Sequence, residues 1–326
     1  MEAEKQFEPG PLNTSFSSPV SMENSGKHTM TTKQIIYLPG KNPKPEIEQY
    51  RELIWRTLVE GVRRADSAVA GTLQASYSRF HLVSWNHLYY HKHKDVTSDI
   101  PWIDDLINKH GPTEQDMRDA HSWNIWLSRF VLMLGDHIPL LIRMLPEEVR
   151  STANEIDRYF NNSDDVARKI RDLLKQTLRP MLEQQDDVLL IGHSLGSVIA
   201  YDTLWELSHQ DGITGKVDFL TLGSPMGLHY IQRRLLGMNG NGKKSYPDLI
   251  RHWMNISAEG DVAALNQKLN ESFQPMLELG LVESIEDHCQ GIYNYFRSDA
   301  GLNCHRSYGY LVNPAVGSII ANWWKH

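Results

Sequence analysis

Five consecutive residues, Gly192-His193-Ser194-Leu195-Gly196, carry the strongest chemical signal in the sequence. They read G-x-S-x-G. The apolar run 187–191 precedes them and a helical pattern over 195–207 follows. A serine on so sharp a strand-to-helix turn has its hydroxyl exposed at the sheet edge, and small flanking residues let the turn close. The Leu195 N–H then stands at a helix N-terminus, where it can stabilise a developing oxyanion. The plainer reading is a glycine-rich turn in which Ser194 only caps the helix. The strand before and the helix after favour a nucleophile, and with it acyl transfer.

The stretch Val188-Leu189-Leu190-Ile191-Gly192-His193-Ser194-Leu195-Gly196-Ser197 resembles the nucleophile elbow of α/β-hydrolase-fold serine hydrolases, lipase- and esterase-like members above all. The likeness runs on into Val198-Ile199-Ala200-Tyr201-Asp202 and extends over residues 33–326. It is specific for the superfamily and not for a substrate. It implies a mostly parallel sheet flanked by helices, a triad in the chain order Ser, Asp or Glu, His, and an oxyanion hole completed by a loop after an early strand. In this chain that loop is Leu38-Pro39-Gly40-Lys41-Asn42, with Pro39-Gly40 where many lipase-like relatives have His-Gly. Pro39 has no N–H to give. Gly40, Lys41 and Asn42 remain as donors beside Leu195.

A serine hydroxyl is a poor nucleophile at neutral pH and needs a nearby base. The base needs a carboxylate to fix its tautomer and stabilise its cation. Asp261, in Ser257-Ala258-Glu259-Gly260-Asp261-Val262, follows a strand expected over 251–256 and is the acid of choice. Its plainer role is as the N-cap of a following helix. Glu259 and Asp287 are rivals, although Asp287 stands far from any recognisable strand. His305 lies in a loop before the last helix, between Leu302-Asn303-Cys304 and Arg306-Ser307-Tyr308-Gly309-Tyr310. The resemblance places the catalytic histidine there, and His288 is the runner-up. Gly223-Ser224-Pro225 is expected to shape the pocket floor.

Positioning these residues requires short apolar strands alternating with amphipathic helices. Strands are expected over 34–38, 80–85, 187–191, 217–222 and 251–256. Helices are expected over 45–70, 164–183, 195–207 and 314–324. This order implies an α/β fold, with a parallel sheet, helices on both faces, and ligands at the carboxyl ends of the strands. Residues 86–162 show no comparable strand and read as a mostly helical cap insertion, with Trp102, Trp123, Trp126 and an apolar run over 130–145. That run contains Pro139 and is too short and broken to span a bilayer. It reads as a cap helix. An acyl-binding wall or a lid in peripheral contact with a membrane is the sharper alternative.

The rest of the composition excludes more than it assigns. The chain has 326 residues, 33 Lys plus Arg and 40 Asp plus Glu, for a net charge of −7. That balance argues against a nucleic-acid partner. Residues 1–30 are polar and serine-rich with no apolar h-region, so they read as a disordered tail, and a cytoplasmic location is the default expectation. Cys289 and Cys304 form no CxxC pair and read as two thiols. His81, His87, His91 and His93 read as a solvated basic loop. The Gly237, Gly240 and Gly242 segment reads as a flexible loop. There is neither a P-loop nor a dinucleotide fingerprint.

The expected activity is therefore hydrolysis of a carboxylic ester, small or lipid, without cofactor or metal. Thioester or amide hydrolysis and acyl transfer use the same triad. A non-catalytic binding or scaffold role for the fold is the alternative from another class.

Overall fold

In the computed structural model of the chain, residues 31–122, 147–264 and 267–326 are described. Six strands form one sheet: β1 (Lys33–Leu38), β2 (Phe80–Leu82), β3 (Asp187–His193), β4 (Val217–Leu222), β5 (Ile250–Ile256) and β6 (Ser284–His288). Their order is β2-β1-β3-β4-β5-β6, and every neighbouring pair is parallel. All carboxyl ends therefore face one edge. The order reverses between β1 and β3, and an open α/β sheet has its ligand crevice at such a switch point. The Gly40 loop leaves β1 there, and Ser194 leaves β3.

Alternating residues of each strand serve opposite faces. Ile36, Leu38, Val188, Leu190 and Phe219 join one core, with α7 (Val166–Glu183) and α8 (Leu195–His209). Ile35, Tyr37, Leu189, Ile191, Leu220 and Leu222 join the other, with α1 (Ile47–Ala65), α2 (Ser67–Gln74) and α13 (Pro314–Lys325). Burial on both faces explains why residues 35–38 of β1 and 188–191 of β3 read as unbroken apolar runs rather than as alternating ones. Fully burying one such side chain contributes about 1.5–3 kcal/mol.

The helix expected over 45–70 is two helices. Asp66 adopts an extended conformation (φ −153°) and its carboxylate accepts from the N–H groups of Ala68 and Val69, which starts α2 afresh. The second strand closes at Leu82, three residues short of expectation. The sixth strand, β6, was not foreseen. Only Ile285 of Ser284–His288 is buried, so this edge strand has no hydrophobic pattern to read. Asp287 consequently lies on a strand.

The described parts of residues 86–162 are mostly helical, with α3 (Asn86–Tyr90), α4 (Ile100–Asn108), α5 (Glu114–Ala120) and α6 (Glu147–Phe160) joined by turns and irregular chain. Tyr89 and Tyr159 pack into the first core, and Ile103 and Leu106 into the second. The apolar run 130–145, Trp123 and Trp126 lie outside the described residues, as does the 1–30 tail. Among the described residues no helix is long and apolar enough to cross a membrane. Four short helices complete the α-helices of the described residues: α9 (His229–Gln232), α10 (Leu269–Ser272), α11 (Gln274–Glu278) and α12 (Ser307–Leu311).

Candidate active site

Ser194 sits between β3 and α8 with φ 53° and ψ −128°, a left-handed conformation that a non-glycine residue adopts only under constraint. The constraint is packing. A Cβ on Gly196 would lie 2.5 Å from the Leu38 carbonyl oxygen, and one on Gly192 would lie 2.6 Å from the Ser197 Cα. The two glycines of the motif thus let α8 begin hard against the end of β1. The turn is further held by the Ser197 N–H and Oγ–H, which both donate to the Ser194 carbonyl at 3.0 and 2.6 Å.

The three residues expected to form a triad converge, although 111 and 44 positions separate the bonded pairs. Ser194 Oγ is 2.8 Å from His305 Nε2. His305 Nδ1 is 2.9 and 3.0 Å from the two Asp261 carboxylate oxygens. An acceptor-only carboxylate fixes the proton on Nδ1 and leaves the Nε2 lone pair facing the serine. Ser194 is 7 % exposed and Asp261 1 %, whereas the His305 side chain keeps 28 % of its surface. Asp261 is dry, and His305 keeps a solvent-accessible face.

Burial opposes ionisation of Asp261. The charge and hydrogen bond of His305 outweigh it, with help from Tyr310 and the Ala263 N–H, and hold the carboxyl below its ordinary range. Tyr310 was not singled out from sequence. Its phenol donates to Asp261 Oδ2 at 2.5 Å and accepts the Ala258 N–H at 2.9 Å. Burial first, and then the Asp261 charge, push its pKa well up, so it stays a donor. His193 is the second such residue. Its Nε2–H donates to the His305 carbonyl at 2.9 Å, which braces the loop that carries His305. Burial and the nearby His305 lower its pKa well below the ordinary value, so it remains neutral. Neither contact has a sequence signal, because each joins segments more than forty residues apart.

The loop after β1 is pinned from behind. The indole Nε1–H of Trp85 donates to the Pro39 carbonyl at 2.8 Å, and Asn86 Nδ2 donates to the Gly40 and Asn42 carbonyls at 2.8 and 2.9 Å. In a trans peptide the N–H points opposite the C=O. The bonds to the Pro39 and Gly40 carbonyls therefore fix the Gly40 and Lys41 N–H groups on the side away from Trp85 and Asn86. Gly40 lies against Ser194: a Cβ there would be 2.8 Å from Ser194 Cβ and 2.9 Å from His193 Nδ1. Leu195, at the first position of α8, has an N–H with no intrahelical acceptor.

The rival residues are engaged elsewhere. Asp287 accepts from Asn255 Nδ2 and from the Leu269 and Asn270 N–H groups at the start of α10. Glu259 accepts the Gly291 N–H and faces His121 at 3.7 Å. His288 lies on β6, 3.6 Å from Glu286. Gly223 packs against the triad, since a Cβ there would be 2.7 Å from Asp261 Oδ2, and Ser224 Oγ bonds Ser197 Oγ at 2.8 Å. Cys289 and Cys304 are both free thiols. Among the described residues no three His, Cys, Asp or Glu side chains group as a metal site.

No protein-family model, curated protein or solved structure matches the chain.

Proposed function

We propose that the chain is a serine hydrolase of the α/β-hydrolase fold that cleaves a carboxylic ester through an acyl-enzyme. The hydrogen-bonded line Ser194–His305–Asp261 at the switch point of the sheet carries this reading. His305 Nε2 takes the Ser194 proton as Oγ attacks the ester carbonyl. Asp261 holds the imidazole and stabilises the imidazolium that forms. The tetrahedral oxyanion is held by the Leu195 N–H and by the Gly40 or Lys41 N–H. Collapse expels the alcohol, protonated by His305, and leaves an acyl group on Oγ. Water then attacks by the same route and frees the acid. The reaction draws its proton transfers and charge stabilisation from these side chains and N–H groups alone. The helices that follow β2 serve, in this proposal, as the cap over the crevice.

A fluorophosphonate probe tests the reading directly. The native protein is expected to take one adduct, on the peptide containing Ser194, as read by tandem mass spectrometry. A folded protein that takes no label from mildly acidic to mildly alkaline pH overturns it.

Tyr310→Phe tests the environment of the acid. The substitution removes the donor to Asp261 and leaves the buried Ala258 N–H without its acceptor. Stability is expected to fall by about 1–3 kcal/mol, read from urea unfolding. The rate of hydrolysis of 4-nitrophenyl butyrate should fall by about tenfold, the equivalent of one charged hydrogen bond. An unchanged unfolding midpoint would show that the phenol does not hold the acid.

A further inference from the structure

Between the end of the loop that leaves β1 and the residues that follow His305 lies a cavity of about 440 Å³, within the range of small-molecule sites. Its lining includes Lys44, Lys92, Lys94 and Arg306 against a single carboxylate, Asp99. Asp99 is already shared: it accepts from Lys94 Nζ at 2.5 Å and from Arg306 Nη2. Just outside, Glu46 faces His93 at 3.3 Å. Lys44 has instead a carbonyl and a ring face. Its Nζ donates to the Lys41 carbonyl at 2.8 Å and lies 6.0 Å from the Tyr50 ring centroid. Burial, with Arg306, Lys94 and Lys41 around it, draws its pKa down to about 7. Arg306 is clamped between the Phe296 and Tyr308 rings at 5.3 and 5.4 Å, and its buried Nε–H makes no hydrogen bond. A guanidinium preorganised between two rings suits a planar or tetrahedral oxyanion group at its open edge.

The position matters as much as the charge. Arg306 directly follows His305, about 3.8 Å away along the chain. Lys44 closes the same loop that carries Gly40 and Lys41, and its ammonium holds that loop's Lys41 carbonyl. The cavity is thus lined by the continuations of the two segments that carry Gly40 and His305, and Lys44 and Arg306 are near enough for their charges to be felt at His193, the neighbour of Ser194.

We propose that this cavity is a substrate subsite for an anionic group, a carboxylate or phosphate carried by the ester, held by Lys44 and Arg306 while Ser194 attacks the carbonyl. The inference rests on the hydrolase reading for its substrate role and on the cavity alone for its anion. It deepens that reading by naming a class: esters bearing a negative charge a short distance from the scissile bond.

Two arms separate the claims. In the first, the full chain hydrolyses a matched pair of 4-nitrophenyl esters, the neutral pentanoate and the anionic hemiglutarate. The native protein is expected to favour the hemiglutarate by about tenfold or more in kcat/KM, the scale of one charge-assisted hydrogen bond. In Lys44→Met that ratio should drop towards one, through KM rather than kcat. Arg306→Lys keeps the charge, loses the fork, and should lower the ratio too. Reading a ratio within each variant removes any general loss of folded protein. In the second arm, inorganic phosphate is expected to raise the Tm of the native protein more than sodium chloride of equal ionic strength, and to lose that advantage in Lys44→Met. Equal rates for the two esters together with no phosphate advantage overturn the subsite, while the triad stands. An advantage for phosphate but not for hemiglutarate assigns the site to phosphate esters. Lys44-dependent phosphate stabilisation in a protein that hydrolyses neither ester and takes no fluorophosphonate keeps the anion site and removes its substrate role.

Discussion

Ser194→Ala is expected to lower kcat for ester hydrolysis by a factor on the order of 10⁶ and to abolish fluorophosphonate labelling, while the fold survives. The substitution removes one atom, Oγ, and keeps the Cβ that the turn already accommodates. The strained backbone at φ 53° is set by Gly192, Gly196 and the Ser197 bonds to the Ser194 carbonyl, none of which involves the lost hydroxyl. The partner left behind is His305 Nε2, on a side chain that keeps 28 % of its surface and can be hydrated. Stability should therefore change by only about 1 kcal/mol, as for one solvated hydrogen bond. Residual turnover would come from the oxyanion donors and from substrate binding. Steady-state kinetics on 4-nitrophenyl butyrate, with circular dichroism and a thermal melt as controls, decide the matter. Hydrolysis within tenfold of the native rate in a folded variant would mean that another nucleophile does the work.

Asp261→Asn should lower kcat by about 10⁴-fold with a smaller effect on KM. The shape is nearly conserved, but the hydrogen-bond chemistry is not. Asp261 accepts from His305 Nδ1, from the Tyr310 phenol and from the Ala263 N–H. An asparagine presents an NH₂ to one of these donors. Facing His305, it drives the imidazole proton to Nε2, where it can no longer receive the serine proton. Facing Tyr310, it puts two donors together in a site that is 1 % exposed. A pH series separates this electrostatic role from simple packing. The native pKa of Asp261 is depressed, so its ionised form contributes stability above the unfolded value of about 3.9. That contribution is lost as pH falls through the lower folded value. The stability gap between the native protein and the variant should thus be full at neutral pH and shrink as pH falls below about 4. A gap constant across that window would assign Asp261 to packing alone. Retention of more than a tenth of the native kcat would return the acid role to another carboxylate, with Glu259 first in line.

The elements that hold the site were legible wherever burial leaves a mark on residue type. Strands β1, β3, β4 and β5 stand at the expected places because their side chains are buried on both faces or nearly so. The G-x-S-x-G turn is written in glycines because backbone atoms of Leu38 and Ser197 occupy the space a Cβ would need. Strand β6 was illegible for the opposite reason: with Ile285 its only buried residue, its place in the sheet comes from backbone pairing with β5, to which Glu286 and Asp287 contribute as well as any residue would. The break at Asp66 was also missed, since α1 and α2 carry apolar residues on both sides of it and only the cap geometry separates them.

What the sequence determined by itself was the parallel α/β architecture, the nucleophile candidate and an ordered choice of acid and base. Hydrophobic period and glycine placement are local properties that survive in one dimension. The tertiary structure alone decided that Asp261 and His305, rather than Asp287 or His288, meet Ser194, that Tyr310 and His193 brace them, and that Lys44, Lys92, Lys94 and Arg306 line one cavity with Asp99. Those facts depend on which loops the parallel strands bring to one edge of the sheet, and contacts between residues 44 to 112 positions apart leave no periodic trace in the chain.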